Sequence, residues 1–451
     1  MPDEVRLSFL DWLATEDQER QDQYEKYREY YEGDHGTQLT ERQRRYLQIK
    51  DGQEFNVNLM AVVVDALVER LEVLGFAVTD ERTYDGQAQA DVLWQWWTAN
   101  RMDGVQKDLH TAAVRDGDGY VLLEWDEEGD RPLITHELAC AGSEGVKVHY
   151  ASDRRRTPVF ASKRWQVRSE DGSSAGYRRR LNLYYPNRIE KYISDQREFE
   201  GAWRRYAEEG EGWPLWWTRD GREGGEPLGV PVVHFRNQGR GYNYGRSELV
   251  DAIPVQNALN KSVIDTLAAA DTAAFRLLYM LGDDPSGLNI APGVIIYSEK
   301  GPSDVSFGSI PPSDLSQLIR LVDECKVTVA QTTRTPVSYF QISGHRPAEG
   351  TLKQEEAGLV AKAVDRQVYF GNAWEDVMAL ARKLHNTFGQ GETLDEEASI
   401  STQWRDAQSR NERELAETMA IHRDKLGVPL ETVWRRVGYA PDEIEEMLES
   451  D

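Results

Sequence analysis

Apolar residues recur at helical spacing through the first 115 or so positions and then give way to short alternating runs. The first predicted helix opens at a capping box, Thr15-x-x-Gln18. Tyr24, Tyr27 and Tyr31 follow at i, i+3 and i+7, a stripe expected to pack against a neighbouring helix. Gly33-Asp34-His35-Gly36 stops it. A second helix is predicted from near Asn58, with Leu59, Val62, Val63, Ala66, Leu67 and Leu74 as its apolar face and Gly75 as its end. A third covers 87–100, carries Trp94, Trp96 and Trp97, and resumes after a break near Gly104 through 108–115.

The period then shortens. Asp116-Gly117-Asp118-Gly119 reads as a turn before a strand at 120–125. Further β-rich runs are predicted at 146–150, 159–167, 180–185, 188–193 and 232–235, separated by turn clusters such as Asp171-Gly172-Ser173-Ser174. Gly239-Arg240-Gly241-Tyr242-Asn243-Tyr244-Gly245 leads into a long helix with Ser247 as N-cap, expected to run to about Leu281 with a kink at Pro254. Its small side chains Ala268, Ala269, Ala270, Ala273 and Ala274 would let a neighbouring helix approach closely. Residues 282–312 are turn-rich, with one strand at 293–297. A helix is predicted over 313–332, a polar loop over 335–350, a long helix over 351–385 and a strand over 399–404. Helices at 411–426, 429–437 and 442–448 close the chain. The class is α+β, with no internal repeat.

Composition narrows the function. The 451 residues allow two to four domains, or one elaborate one. Lys and Arg number 53 against 78 Asp and Glu, a net charge of −25. A sequence-specific DNA binder grips phosphates with a cationic surface, so this chain is a poor candidate for one. The basic runs Arg154–Arg156 and Arg178–Arg180 are short and read as solvated strand ends. The two cysteines, Cys140 and Cys325, exclude a disulfide scaffold and point to a reducing compartment. No 18-residue stretch is free of charge and the chain starts Met1-Pro2-Asp3-Glu4, so neither a membrane span nor a signal peptide is expected.

Catalytic signatures are missing. There is no phosphate-binding G-x-x-x-x-G-K-[ST], no H-E-x-x-H and no G-x-S-x-G. Gly239-x-Gly241-x-x-x-Gly245 has the wrong spacing for a dinucleotide fingerprint. Asp116, Asp118 and Glu127 match three positions of a calcium loop, but Tyr120 and Val121 stand where a ligand and a glycine are required. No enzyme activity, metal or cofactor is predicted. Thirteen tryptophans beside many acids leave a glycoside hydrolase as one alternative, and a structural adaptor without a channel as another.

The order of motifs is more informative than any one of them. Tyr30-Tyr31-Glu32-Gly33-Asp34-His35 is followed by Asn56-Val57-Asn58, then by Gly117-Asp118-Gly119-Tyr120-Val121. Tyr244-Gly245-Arg246-Ser247-Glu248-Leu249 comes next, ahead of Pro254, Gln256, Asn257 and Asn260. This ordered set resembles the portal, or head-to-tail connector, proteins of tailed bacteriophages, in the family typified by the SPP1 portal. The resemblance covers nearly the whole chain. It implies a portal fold: a wing at 1–246, a first stem helix at 247–275, a small α/β clip at 276–312 and a second stem helix at 313–334. A channel loop at 335–350, a return to the wing at 351–406 and crown helices at 407–451 complete it. The channel loop would meet DNA through Gln341, Ser343, His345 and Arg346, with Lys353 at the helix start. The alanines of the first stem helix would pack the ring. The family further implies a twelve-membered ring passing double-stranded DNA at the unique capsid vertex. Its partners would be the terminase large subunit, the major capsid protein and a head-tail adaptor. The chain would be made in the host cytoplasm and end in the virion.

Overall fold

The computed structural model describes residues 18–36, 56–79, 86–142, 144–154, 156–168, 177–194, 203–208, 210–239, 242–274, 278–282, 301, 303–309, 315–340, 349–408 and 412–430, with a few isolated positions besides. Helix α1 (Gln18–Glu32) buries Tyr24 and Tyr27 against α4 (Met102–Asp116) and ends at Gly33, whose φ of 84° suits glycine. The tyrosine stripe therefore packs as expected; Thr15 of the capping box lies outside the described residues.

Helix α2 (Met60–Val68) is shorter than its apolar run. Residues 73–79, expected partly as its continuation, form strand β1 (Val73–Thr79). This strand pairs antiparallel with β13 (Ser399–Trp404), the strand predicted at 399–404. A ladder to a segment more than 300 residues away overrides the local helical period, and Gly75 sits at an irregularity in that ladder. Helix α3 (Gly86–Ala99) breaks from α4 at Arg101, φ 54°, rather than at Gly104. Asn100 sets the break: its amide donates to Trp96 O (2.8 Å) and Pro132 O (2.9 Å), and its Oδ1 accepts from Ile134 N (3.0 Å).

Two sheets form the β-region. In the first, β2 (Asp118–Asp126) lies between β10 (Val232–Arg236) and β3 (Arg131–Leu138). In the second, β4 (Gly145–Tyr150), β5 (Pro158–Arg168), β6 (Tyr177–Tyr184), β7 (Arg188–Ser194) and β8 (Arg204–Arg205) run in sequence order, with β9 (Leu215–Trp216) also on β7. The turn cluster at 171–174 lies outside the described residues.

Helix α5 (Ile253–Ala274) starts later and ends earlier than expected. Residues 248–252 are turns, and the Ser247 hydroxyl accepts Leu249 N–H (3.0 Å) there instead of capping the helix directly. Pro254 then falls at the second helical residue, where an N–H would have no intrahelical partner, so it imposes no kink. Beyond α5 the chain forms β11 (Leu278–Leu281), paired antiparallel with β12 (Ser306–Ser309). The strand expected at 293–297 lies outside the described residues. Helix α6 (Ser316–Thr333) packs along α5 and stops at Arg334, φ 55°. Helix α7 (Glu349–Phe388) has 40 residues, about 60 Å of helix. Helix α8 (Glu412–Leu426) follows β13. The helices expected at 429–437 and 442–448 lie largely outside the described residues.

The main core joins α2, α3, α4, α7 and the three-stranded sheet, centred on the fully buried Trp97, Tyr120, Phe235, Phe370 and Trp374. A smaller core of Leu13, Leu181, Leu183, Tyr192 and Trp203 lies on the second sheet. Five of the thirteen tryptophans that raised the glycosidase alternative serve packing: Trp96, Trp97, Trp203, Trp217 and Trp374 are buried. Cys140 and Cys325 are free and buried. No helix among the described residues is long and apolar enough to cross a membrane.

Candidate functional site

The motifs scattered along the sequence meet at one place, the root of α5. The segment at 56–59 enters α2 without a helix or strand of its own, so its backbone groups need partners from elsewhere. Side chains of α5 supply them. Gln256 Oε1 accepts Leu59 N–H (3.1 Å), its Nε2 donates to Val57 O, and Asn260 Oδ1 accepts Val57 N–H (2.9 Å). Asn56 and Asn58 reach the other way, to Gly33 O and to Tyr31 O (2.8 Å), while Asn58 Oδ1 caps Met60 N (2.9 Å). Tyr30 donates to Asn257 Oδ1 (2.8 Å) and stacks on His35 at 4.1 Å. Gln256 and Asn260 are fully buried, so these amides are fixed structural elements rather than solvent-facing ligands.

A second ring of contacts fixes the turn before α5. Gly245 N–H donates to Asp118 Oδ1 (2.6 Å), and a Cβ at 245 would come 2.0 Å from Gly117 O, so only glycine fits. Gly117, φ 98°, is equally constrained, with Arg246 and Ser247 backbone 3.0 Å from where its Cβ would stand. Asp118 is completely buried. Burial alone would raise its carboxyl, but the hydrogen bond from His234 (2.7 Å), with Arg20 (3.3 Å) and Tyr24 (2.6 Å), holds it below the ordinary value. Burial pulls His234 down in turn, against the pull of Asp118. A neutral ring that donates from Nε2 to Asp118 accepts the Tyr150 hydroxyl at Nδ1 (2.6 Å).

The third part joins both helices of the α5–α6 pair to α7. Glu248, just before α5, accepts Lys362 Nζ (3.0 Å), Arg366 Nη2 (2.8 Å) and Gln238 Nε2 (2.6 Å). Lys362 also donates to Thr333 O (2.7 Å) in the last turn of α6, and Arg366 donates to Asn237 Oδ1. Burial would raise the Glu248 carboxyl; the Lys362 and Arg366 charges overcome this and hold it at about 2. Burial pushes Lys362 below its ordinary value although Glu248 opposes the change.

Of the predicted site residues, Ala268, Ala269 and Ala270 lie half-buried on α5 in the single chain. Ala273 and Ala274 are in the same helix and Lys353 is in α7, with their side chains outside the description. Gln341, Ser343, His345 and Arg346 lie outside the described residues. Sequence reasoning missed the Glu248–Lys362–Arg366 cluster. The signal was present: Lys362 and Arg366, one turn apart, interleave with the core positions Leu359, Ala363 and Phe370 of one helix, and two inward cations require a buried acid. Among the described residues no group of three or more His, Cys, Asp or Glu is placed to hold a metal.

The chain belongs to the phage portal protein family, SPP1 Gp6-like, whose family model matches residues 10–451. It is 25% identical over 419 residues to the portal protein of Mycobacterium phage D29, covering 87% of this chain and 78% of that one. It is 24% identical over 416 residues to the portal protein of Mycobacterium phage L5, with the same coverage. Among solved structures it resembles a chain from the neck of a native GTA particle treated with C12 symmetry, at a TM-score of 0.44 and 11% identity, covering 85% of this chain and 89% of that one. A chain from the neck of an empty GTA particle, treated with C6 symmetry, gives 0.43 and 13%, covering 84% and 88%.

Proposed function

We propose that twelve copies of this chain form a ring at the unique capsid vertex, with α5 and α6 as the paired stem around a DNA channel. The observation that carries this reading is the joint at the root of the pair. Lys362 ties Glu248, just before α5, to Thr333, at the end of α6, so both helices leave one rigid base. The chain between them, including the β11–β12 ladder, belongs at the far end as the clip. Residues 335–350, directly after α6, sit in sequence where a channel loop is expected, with Arg346 and His345 as its phosphate-facing groups. Contacts to DNA are sequence-independent. The terminase large subunit supplies ATP hydrolysis, the major capsid protein holds the wing, and a head-tail adaptor takes over the clip after packaging. The ring itself catalyses nothing. The chain is made in the host cytoplasm and carried in the virion.

The first test is native mass. Twelve copies of a 51.5 kDa chain give about 618 kDa by light scattering or native mass spectrometry. A monomer that stays monomeric when expressed with capsid protein would refute the ring. Arg346→Ala should then lower packaging efficiency while the ring mass stays unchanged; normal phage yield would remove Arg346 from the channel.

A further inference from the structure

Helix α7 carries an apolar stripe that is exposed in the single chain. Ala357, Ala361, Val364 and Val368 recur at i, i+4, i+7 and i+11, which puts them on one line of the helix. All four are exposed, Val364 at 48% and Val368 at 59%. Among the described residues, these valines are the one pair of exposed large apolar side chains a single turn apart on a helix. Valine gives an exposed helical position no advantage of its own, because its branched Cβ loses rotamer freedom against the preceding turn. One exposed valine is ordinary; two in line with two alanines form a face.

The stripe points away from the joint. Lys362 and Arg366 project from the opposite side of α7, toward Glu248, Asn237 and the Thr333 carbonyl. The stripe is therefore level with the roots of α5 and α6 but has its back to them. The root of α5 has an outward face too. Pro254, Ala258 and Lys261 recur there at i, i+4 and i+7 and are exposed, on the side opposite the buried Gln256 and Asn260. The two faces carry opposite charges at their margins. Asp365, 57% exposed, flanks the valines, and Lys261 closes the α5 face.

A closed ring is built from one heterologous contact, in which two different faces of the chain meet. We propose, on the ring reading above, that the α7 stripe packs against the α5 face of a second copy of this chain. Val364 and Val368 cover the Pro254–Ala258 side of the neighbour's α5, with Asp365 beside Lys261. Small residues on both faces let the two helices approach, and the joint holds each face at a fixed height on its own subunit.

Val364→Asp with Val368→Asp tests this. Native protein and variant are compared at equal subunit concentration by light scattering, with far-UV circular dichroism to follow the fold. The variant should keep the native helical signal and lose the species of about 618 kDa, since a carboxylate trapped in a covered apolar contact weakens each interface by about tenfold or more. Val364→Ile with Val368→Ile keeps the face apolar and should keep the ring. If the aspartates unfold the chain, the charged margin gives the same readout. Asp365→Lys or Lys261→Glu alone brings like charges together and should shrink the ring population, and the two combined should restore it. A ring of native mass in the aspartate variant, or a double charge swap no better than either single one, would overturn the proposal and leave the ring reading standing. Rings of native mass that no longer enter heads would give the stripe to another head protein and overturn it equally. A native chain that stays at 51.5 kDa with capsid protein present refutes the ring reading itself, and removes the second copy as occupant.

Discussion

Removing the charge of Glu248 should be among the most damaging isosteric changes in this chain. Glu248→Gln keeps the shape of the side chain and an acceptor oxygen, but leaves Lys362 and Arg366 buried without a counter-charge. The carboxyl is held at about 2 instead of its ordinary 4.5, a difference worth about 3 kcal/mol. That agrees with the loss of about 3–5 kcal/mol seen when one partner of a buried ion pair is removed. The sign follows from the direction. The folded protein binds the proton less tightly than the unfolded chain, so the stabilisation is complete above about pH 4.5 and disappears as pH falls toward 2. Urea unfolding of both proteins at equal subunit concentration and pH 7 should place the variant about 3 kcal/mol lower. The gap should close progressively from pH 4.5 downward. A variant within about 0.5 kcal/mol of the native protein at pH 7, or a gap independent of pH over that range, would refute the assignment of Glu248 as the counter-charge at this joint.

Two further changes probe the same region. Gly245→Ala places a methyl 2.0 Å from Gly117 O, and should sharply lower soluble yield and melting temperature, whereas Gly239→Ala, with open space around it, should change either little. Gln256→Leu strands Val57 O and Leu59 N–H in a buried site and should cost about 2–4 kcal/mol in urea unfolding, while Asn257→Leu, on the exposed side of the same helix, should cost under about 1 kcal/mol.

Local pattern was a good guide where an element is decided by its own residues. The helix bearing Trp94, Trp96 and Trp97 needs only its own spacing and a core to face. Pattern failed where a distant partner decides. Leu74 fits a helical face, yet β1 is a strand because β13 completes its ladder. Residues 278–281 continue an apolar helical run, yet β12 draws them into a ladder. Local pattern puts a kink at Pro254, yet the helix starts only one residue before it. The charged joint was hidden for a similar reason: the acid lies 114 residues before Lys362, and no local rule links them.

Gly117, Asp118, Gly245, Glu248, Gln256 and Asn260, which are among the residues that carried the family resemblance, belong to the joint. Gly245, Asp118, Gln256 and Asn260 are each fixed by a contact that one residue type satisfies, such as a 2.0 Å approach to a carbonyl or a backbone amide that needs a buried acceptor. A residue that slides past phosphates needs only reach and charge, which several side chains supply, so it leaves a weak imprint on the sequence. A motif is therefore strongest where the chain must fold and faintest where the ring must work. Joint variants such as Glu248→Gln will lose stability and assembly together and say little about DNA. Arg346, in the proposed channel loop, is where a change is expected to alter DNA handling while the ring stays whole.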